Sequence, residues 1–373
     1  VDIEVFEMER MQSLYWHEVD YDLSESGVRP LTPAELLTAA QRDPSELLSV
    51  PLGYPLSEGS EESRAAIAAW YPGAAPTNVS LTNGGSEANH LSLWTVLGPR
   101  DRLAFMVPNY LQGIGLGNAY GAGVDAFTLV RDGERWALDL DSLDAAVGPS
   151  TAAVMVCNPN NPTGHVFTPA EMDAVIQAAE RADAWLICDE IYRGAEVATD
   201  EASPTFWGRY PKTIVTSGLS KAFAMPGLRV GWVVAPEPLI TDLWVRHDYT
   251  TLTPGMLSDR LAAVAMEPNT REWILERTRG IIRENLPPLE VWMRSHEAFA
   301  PTLPAAGAIA YAEYDLPISS TDLVDRIRRE RSVLLVPGDT FGLGKGLRFG
   351  FGYDIDRTIE GLHLVDELLT QIA

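Results

Sequence analysis

Ala184-Trp185-Leu186-Ile187-Cys188 runs directly into Asp189-Glu190-Ile191-Tyr192, and the fold can be read outward from that junction. An apolar run with no polar break reads as a strand buried on both faces, the mark of a parallel sheet covered by helices. Just upstream, Pro169 to Ala184 has helical patterning, and Thr151 to Cys157 is a second apolar run. Strand, helix, strand in that order is the repeating unit of an α/β domain. Further strand candidates are Asp101 to Pro108, Val124 to Val130, Thr213 to Thr216 and Arg229 to Ala235, with another helical run at Ser86 to Val96. Roughly residues 51–270 form this large lobe, leaving an arm at 1–50 and a stretch at 271–373. Each end is thin alone, so the two are expected to pack together as one small α+β lobe. Pro254 to Asn285, with its Arg/Glu alternation, reads as helix linking the lobes.

The chain has 373 residues, 46% of them apolar and 21% charged, enough for a large buried core in two lobes. Acidic residues exceed basic ones by 24, and the lysines are only Lys212, Lys221 and Lys345. Such a surface repels phosphate backbones and anionic lipid, which argues against nucleic acid or a membrane as the main partner. No window reaches the length of a membrane span, and Val1-Asp2-Ile3-Glu4 lacks the basic and apolar regions of a secretory signal. Cys157 and Cys188 lie in apolar runs and build neither a disulfide framework nor a metal knuckle. A cytoplasmic location is expected.

Sheets of this kind bind ligands beyond the carboxyl ends of their strands, so the residues that follow each strand are the candidates. Thr82-Asn83-Gly84-Gly85-Ser86 precedes a helical run. It reads either as a phosphate cradle built on free N–H groups or as an ordinary turn capped by Ser86 or Asn83. Asn158-Pro159-Asn160-Asn161-Pro162-Thr163-Gly164 is a constrained turn that aims Asn161, an amide able to donate to a ring oxygen or a carboxylate. Asp189 closes a buried strand, where a carboxylate needs a partner, and a protonated heteroaromatic nitrogen is one. The plainer role for it is capping the next turn. Tyr192 reaches the same ligand with its phenol. Lys221, after Ser217-Gly218-Leu219-Ser220, sits where a desolvated amine becomes a nucleophile toward a carbonyl. Arg229 follows across a Pro-Gly turn, placed to return and clamp a phosphate.

These parts together are what a pyridoxal 5'-phosphate site requires. Asn161-Pro162-Thr163-Gly164, Asp189-Glu190-Ile191-Tyr192 and Ser220-Lys221 through Gly227-Leu228-Arg229-Val230-Gly231 resemble, in order and spacing, the class I/II aminotransferases of fold type I. The resemblance implies a large domain with a mostly parallel seven-stranded sheet and a small domain from both chain ends. It implies that Lys221 holds the cofactor as a Schiff base and moves the substrate Cα proton. Asp189 then keeps the ring nitrogen protonated, and Tyr192 and Asn161 donate to the ring oxygen. Gly84, Gly85, Ser86, Ser220 and Arg229 hold the phosphate, and Tyr110 stacks on the ring. Tyr54, in Gly53-Tyr54-Pro55, reaches the phosphate of a neighbouring subunit, which implies a homodimer with shared sites. Arg348 grips the substrate carboxylate, with Asn161, Gly27 and Glu25 nearby. Gly218 departs from the pattern, since many members carry a hydroxyl residue there.

Phe6-Glu7-Met8-Glu9-Arg10, Leu23-Ser24-Glu25-Ser26-Gly27-Val28 and Asp248-Tyr249-Thr250-Thr251 look like the branch that contains capreomycidine synthase and the oxygen-dependent arginine oxidases. Arg29 stands where the arginine-acting members have histidine. It reads in two ways: lining the distal pocket, where it disfavours a guanidino substrate, or sitting on the surface, where it has no such effect. The expected activity is of aminotransferase type on a free, non-guanidino α-amino acid. The alternative is a diverted outcome: elimination, cyclisation or oxidative deamination with O2.

Overall fold

The computed structural model describes residues 2–372. Its strands, in chain order, are β1 (Tyr21–Asp22), β2 (Val79–Thr82), β3 (Arg102–Val107), β4 (Gly123–Asp132), β5 (Arg135–Leu138), β6 (Thr151–Cys157), β7 (Trp185–Asp189), β8 (Thr213–Gly218), β9 (Gly231–Val234), β10 (Phe299–Thr302), β11 (Ile309–Tyr314), β12 (Val333–Leu334), β13 (Val336–Pro337) and β14 (Gly346–Gly350). Strands β2 to β9 form one sheet in the order β2-β9-β8-β7-β6-β3-β4-β5. β8, β7, β6, β3 and β4 run parallel, while β9 and β5 pair antiparallel at the two sides. The protein has a fold type I architecture. The expected count of seven strands is one short, because β4 turns back through Gly133 into β5 and this hairpin adds an edge.

The parallel strands were legible because they are buried on both faces: β6 and β8 contain almost no exposed residue. Helices cover the sheet, and Pro169–Arg181 shows how the sequence sets one. Thr168 caps it by accepting from the Glu171 N–H, Glu171 returns to the Thr168 N–H, and Pro169 occupies the first turn. Such a cap contributes about 1 kcal/mol. Met172, Val175, Ile176 and Ala179 then face the sheet. Arg229, expected to open a strand, lies instead at φ 50° after the turn Pro226–Leu228, and β9 begins at Gly231. The linking helix is two helices, Met256–Met266 and Pro268–Arg294. Pro268 has no N–H to continue the first and is well suited to start the second.

The two chain ends meet. β1 pairs in parallel with β12, and Val28 bridges to Gly352. A separate antiparallel sheet, β10-β11-β14-β13, packs against the helix Pro268–Arg294 through Trp292, Phe299 and Phe349. β14 carries Arg348 and the Leu23–Gly27 segment lies beside it, so this sheet forms one wall of the cleft above β6, β7 and β8.

Candidate active site

The cleft is a cavity of about 480 Å³ beyond the carboxyl ends of the parallel strands. At one end is the turn between β2 and the helix Gly85–Val96. Gly84 has φ 101°, and a Cβ there would lie 2.2 Å from Arg229 Nη2. Only glycine lets the guanidinium lie over the turn. The helix has no side-chain cap, because Asn83 donates to Thr251 Oγ1 and the Thr253 carbonyl instead. The first-turn N–H groups at Gly85 and Ser86 are therefore left for an anion, which excludes the capped-turn reading. Arg229 Nη1 is held by the Pro226 carbonyl at 3.0 Å and lies 3.5 Å from Ser220 Oγ, so cation, hydroxyl and amides converge.

Asp189 lies deeper, at the end of β7. Its Oδ2 accepts from Asn89 Nδ2 at 2.8 Å and its Oδ1 from the Ile191 N–H at 3.0 Å. Burial raises its pKa, and these two donors only partly offset that. Among the described residues no cationic side chain pairs with it. The group that fits is a cation delivered by a ligand, and a protonated pyridine nitrogen is one. Tyr110, expected over the ring, lines the cavity with its hydroxyl donating to Glu9 Oε1 at 2.9 Å and Phe6 packed 4.7 Å from its ring.

On the opposite side, Lys221 Nζ donates to Glu25 Oε1 at 2.7 Å. Tyr192 is buried; burial pushes its phenol up, against the pull of Lys221 and Arg348, so it is a proton donor at neutral pH. Gly27 passes against the lysine stem, its Cβ position 3.7 Å from Lys221 Cδ. Arg348 is 1% exposed, donates to Asn161 Oδ1 at 2.9 Å and to the Ser24 carbonyl, and leaves Nε without a partner. Burial depresses its pKa, with nearby anionic groups pulling the other way. It forms no ion pair with a carboxylate among the described residues. A guanidinium buried in this state favours an incoming carboxylate strongly.

The structure thus brings together Glu25, Gly27, Gly84, Gly85, Ser86, Tyr110, Asn161, Asp189, Tyr192, Ser220, Lys221, Arg229 and Arg348. It does not bring in Tyr54, which is 85% exposed and away from the cavity. Arg29 is also outside it: its side chain is 61% exposed and lies 3.8 Å from Glu35. Arg29 lines a neighbouring cavity with Asp20, Asp22, Asp354 and Glu25, so of its two placements the structure shows the surface one, and the condition under which it would disfavour a guanidino tail in the cleft does not hold. The absent hydroxyl at Gly218 has a steric cause, since a Cβ there would lie 2.7 Å from the Val230 carbonyl. Asn89 and Glu9 were not singled out as site residues. Asn89 carried one weak signal, an amide at helical spacing among Ala88, Leu91 and Leu93; Glu9 carried only its place in the Phe6 to Arg10 run.

Free amides beside a guanidinium, a buried acid with no cationic partner, a buried lysine and an arginine without a carboxylate partner, all around one cleft, fit pyridoxal phosphate and an amino acid. The model of the class I and II aminotransferases matches residues 21–360, and the chain belongs to that family. It is 31% identical to capreomycidine synthase of Streptomyces vinaceus over 351 residues, 93% of this chain and 89% of that one. Among solved structures it resembles a PLP-dependent aminotransferase from Streptococcus suis, with TM-score 0.93 and 28% identity over 100% of this chain and 99% of the other. It also resembles the PLP-dependent cyclase OrfR, with TM-score 0.89 and 30% identity over the same shares. The protein is a pyridoxal phosphate-dependent enzyme of the aminotransferase family.

Proposed function

We propose that this chain removes the amino group of a free α-amino acid by aminotransferase-type chemistry, as a homodimer with shared active sites in the cytoplasm. The observation that carries this reading is Arg348, a buried guanidinium that lines the same cavity as Lys221 and pairs with no carboxylate among the described residues. An α-carboxylate bound there, oriented also by Asn161, fixes the substrate so that its Cα–H lies toward Lys221. When bound, pyridoxal phosphate withdraws electrons from Cα and makes that hydrogen acidic. Lys221 Nζ takes the proton and returns it. Asp189, kept in place by Asn89, holds the proton on the ring nitrogen, and Tyr192 donates to the ring oxygen. Gly84, Gly85, Ser86, Ser220 and Arg229 hold the phosphate. Exposed Leu52, Tyr54 and Leu56 support the dimer, in which Tyr54 reaches the other subunit's phosphate.

A second reading is a diverted outcome, cyclisation, elimination or oxidation with O2, after the same proton abstraction. The likeness to capreomycidine synthase and to a cyclase favours it. Incubation with single amino acids, with and without 2-oxo acids and O2, separates the two by mass spectrometry. Aminotransfer predicts a new amino acid formed only when a 2-oxo acid is present. Product beyond one equivalent of enzyme without any 2-oxo acid contradicts it and supports the diverted outcome.

A further inference from the structure

Glu25 Oε1 accepts three hydrogen bonds: from Lys221 Nζ at 2.7 Å and from the N–H groups of Ser26 and Gly27 at 2.9 Å. The carboxylate comes from the N-terminal arm, on a segment fixed by the Gly350 N–H to Leu23 and the Arg29 N–H to Gly352. The side chains of Lys221 and Glu25 are 23% and 21% exposed, so the pair lies mostly out of water, where its attraction is strong. We propose that Glu25 is a positioning residue that aims the Lys221 nitrogen and stabilises a proton on it, both after the free amine has taken one from the substrate and when the nitrogen is joined to pyridoxal phosphate. This rests on the aminotransferase reading and deepens it by giving the lysine a proton partner of its own.

The surrounding charges make that partner necessary. Arg348, on β14, disfavours a cationic Lys221, while the Tyr192 phenol opposes that effect. Asp22 and Tyr353 face Glu25, and Glu9 acts on Arg348 from the N-terminal helix. Burial alone would lower the lysine and raise the carboxylate. Their mutual attraction outweighs burial in both, raising Lys221 and bringing Glu25 down to about 2. Without the Glu25 charge, Lys221 sits near Arg348 with no anion in contact. With it, a proton that Lys221 takes from Cα stays on Nζ beside the carboxylate, available for return.

Pyridoxal phosphate itself is the probe. Its visible absorbance in the loaded protein is followed against pH for wild type, Glu25→Gln and Glu25→Asp. Removing the charge is expected to lower the midpoint of the spectral change by at least about one pH unit. Glu25→Asp keeps the charge but draws it back, and its midpoint is expected to fall in between. A Glu25→Gln midpoint within about 0.3 units of wild type overturns the proposal. Should Glu25→Gln fail to take up the cofactor, Glu25→Asp decides alone: a lowered midpoint supports the role and an unmoved one overturns it. Failure of the underlying reading is distinct, because wild type itself would then develop no visible band, and that result overturns both.

Discussion

Asn89 Nδ2 donates to Asp189 Oδ2 at 2.8 Å while Asn89 Oδ1 accepts from Thr216 Oγ1 at 2.6 Å. An ionised carboxylate only accepts, so the NH2 group faces the acid and the amide oxygen is left to accept from the threonine. Thr216 is on β8, Asp189 on β7 and Asn89 on the helix after the phosphate turn. Three elements thus hold one carboxylate in place, with no cationic side chain paired to it among the described residues.

Asp189→Asn is therefore expected to act in opposite directions on chemistry and on stability. Loss of the charge that holds the ring-nitrogen proton should reduce turnover by about 10²-fold or more. The folded-state pKa of Asp189 is raised, so the stability it contributes is full below its unfolded value and is lost as pH rises through the folded one. At neutral pH the cofactor-free variant should then melt no lower than cofactor-free wild type. Calorimetry of both apo-proteins tests this; a clear drop in melting temperature contradicts it.

Arg348→Lys should not rescue the loss of the guanidinium. A single ammonium cannot hold Asn161 and a substrate carboxylate in a planar fork. We expect kcat/KM to fall about 10²-fold or more, while cofactor uptake measured by absorbance is unchanged. Near-wild-type kcat/KM would place the carboxylate elsewhere.

Glu171 ties the helix Pro169–Arg181 to the β5 edge. It accepts from the Leu138 N–H at 2.7 Å, from the Thr168 N–H at 2.7 Å and meets His165 Nε2 at 3.1 Å. Burial alone would raise its pKa; His165, Thr168 and Leu138 outweigh that and hold it at about 2. A lowered folded value means stability present above the ordinary carboxylate range and lost as pH falls toward about 2. Glu171→Ala should cost about 1–3 kcal/mol in urea unfolding at pH 7, with a smaller cost at pH 3. An equal cost at both would remove the charge from the explanation.

Gly218→Ser restores the hydroxyl that many family members carry at this position, and it is expected to harm the protein. Its Cβ would lie 2.7 Å from the Val230 carbonyl and 3.1 Å from Gly231 Cα, both backbone atoms. The overpacking should cost about 1–3 kcal/mol and gain no phosphate affinity. Tighter pyridoxal phosphate binding in the variant would show that β9 yields more readily than its packing indicates.

Much of this was legible in the sequence, for reasons specific to each part. β6, β7 and β8 read as strands because both faces are buried, and polar residues follow: Asp189 closes β7, while Asn161 and Lys221 lie a few residues beyond β6 and β8. β2 and β5 were missed because they are only four residues each: Val79-Ser80-Leu81-Thr82 alternates, but too briefly to stand out. The antiparallel sheet β10-β11-β14-β13 was not legible as a sheet, since its pairings join distant segments. Arg29 and Glu25 lie close in sequence, yet only Glu25 turns into the cleft. Which side of an irregular segment faces a site is set by packing against Gly350 and Gly352, not by local pattern.

The most direct test uses the chain's three lysines. The protein is loaded with pyridoxal phosphate, treated with borohydride so that the cofactor is fixed to the lysine that holds it, and digested for peptide mass spectrometry. The account predicts the phosphopyridoxyl mass on the peptide containing Lys221, and its loss together with nearly all turnover in Lys221→Ala. A label on Lys212 or Lys345 instead, or a Lys221→Ala protein with normal activity, would contradict it.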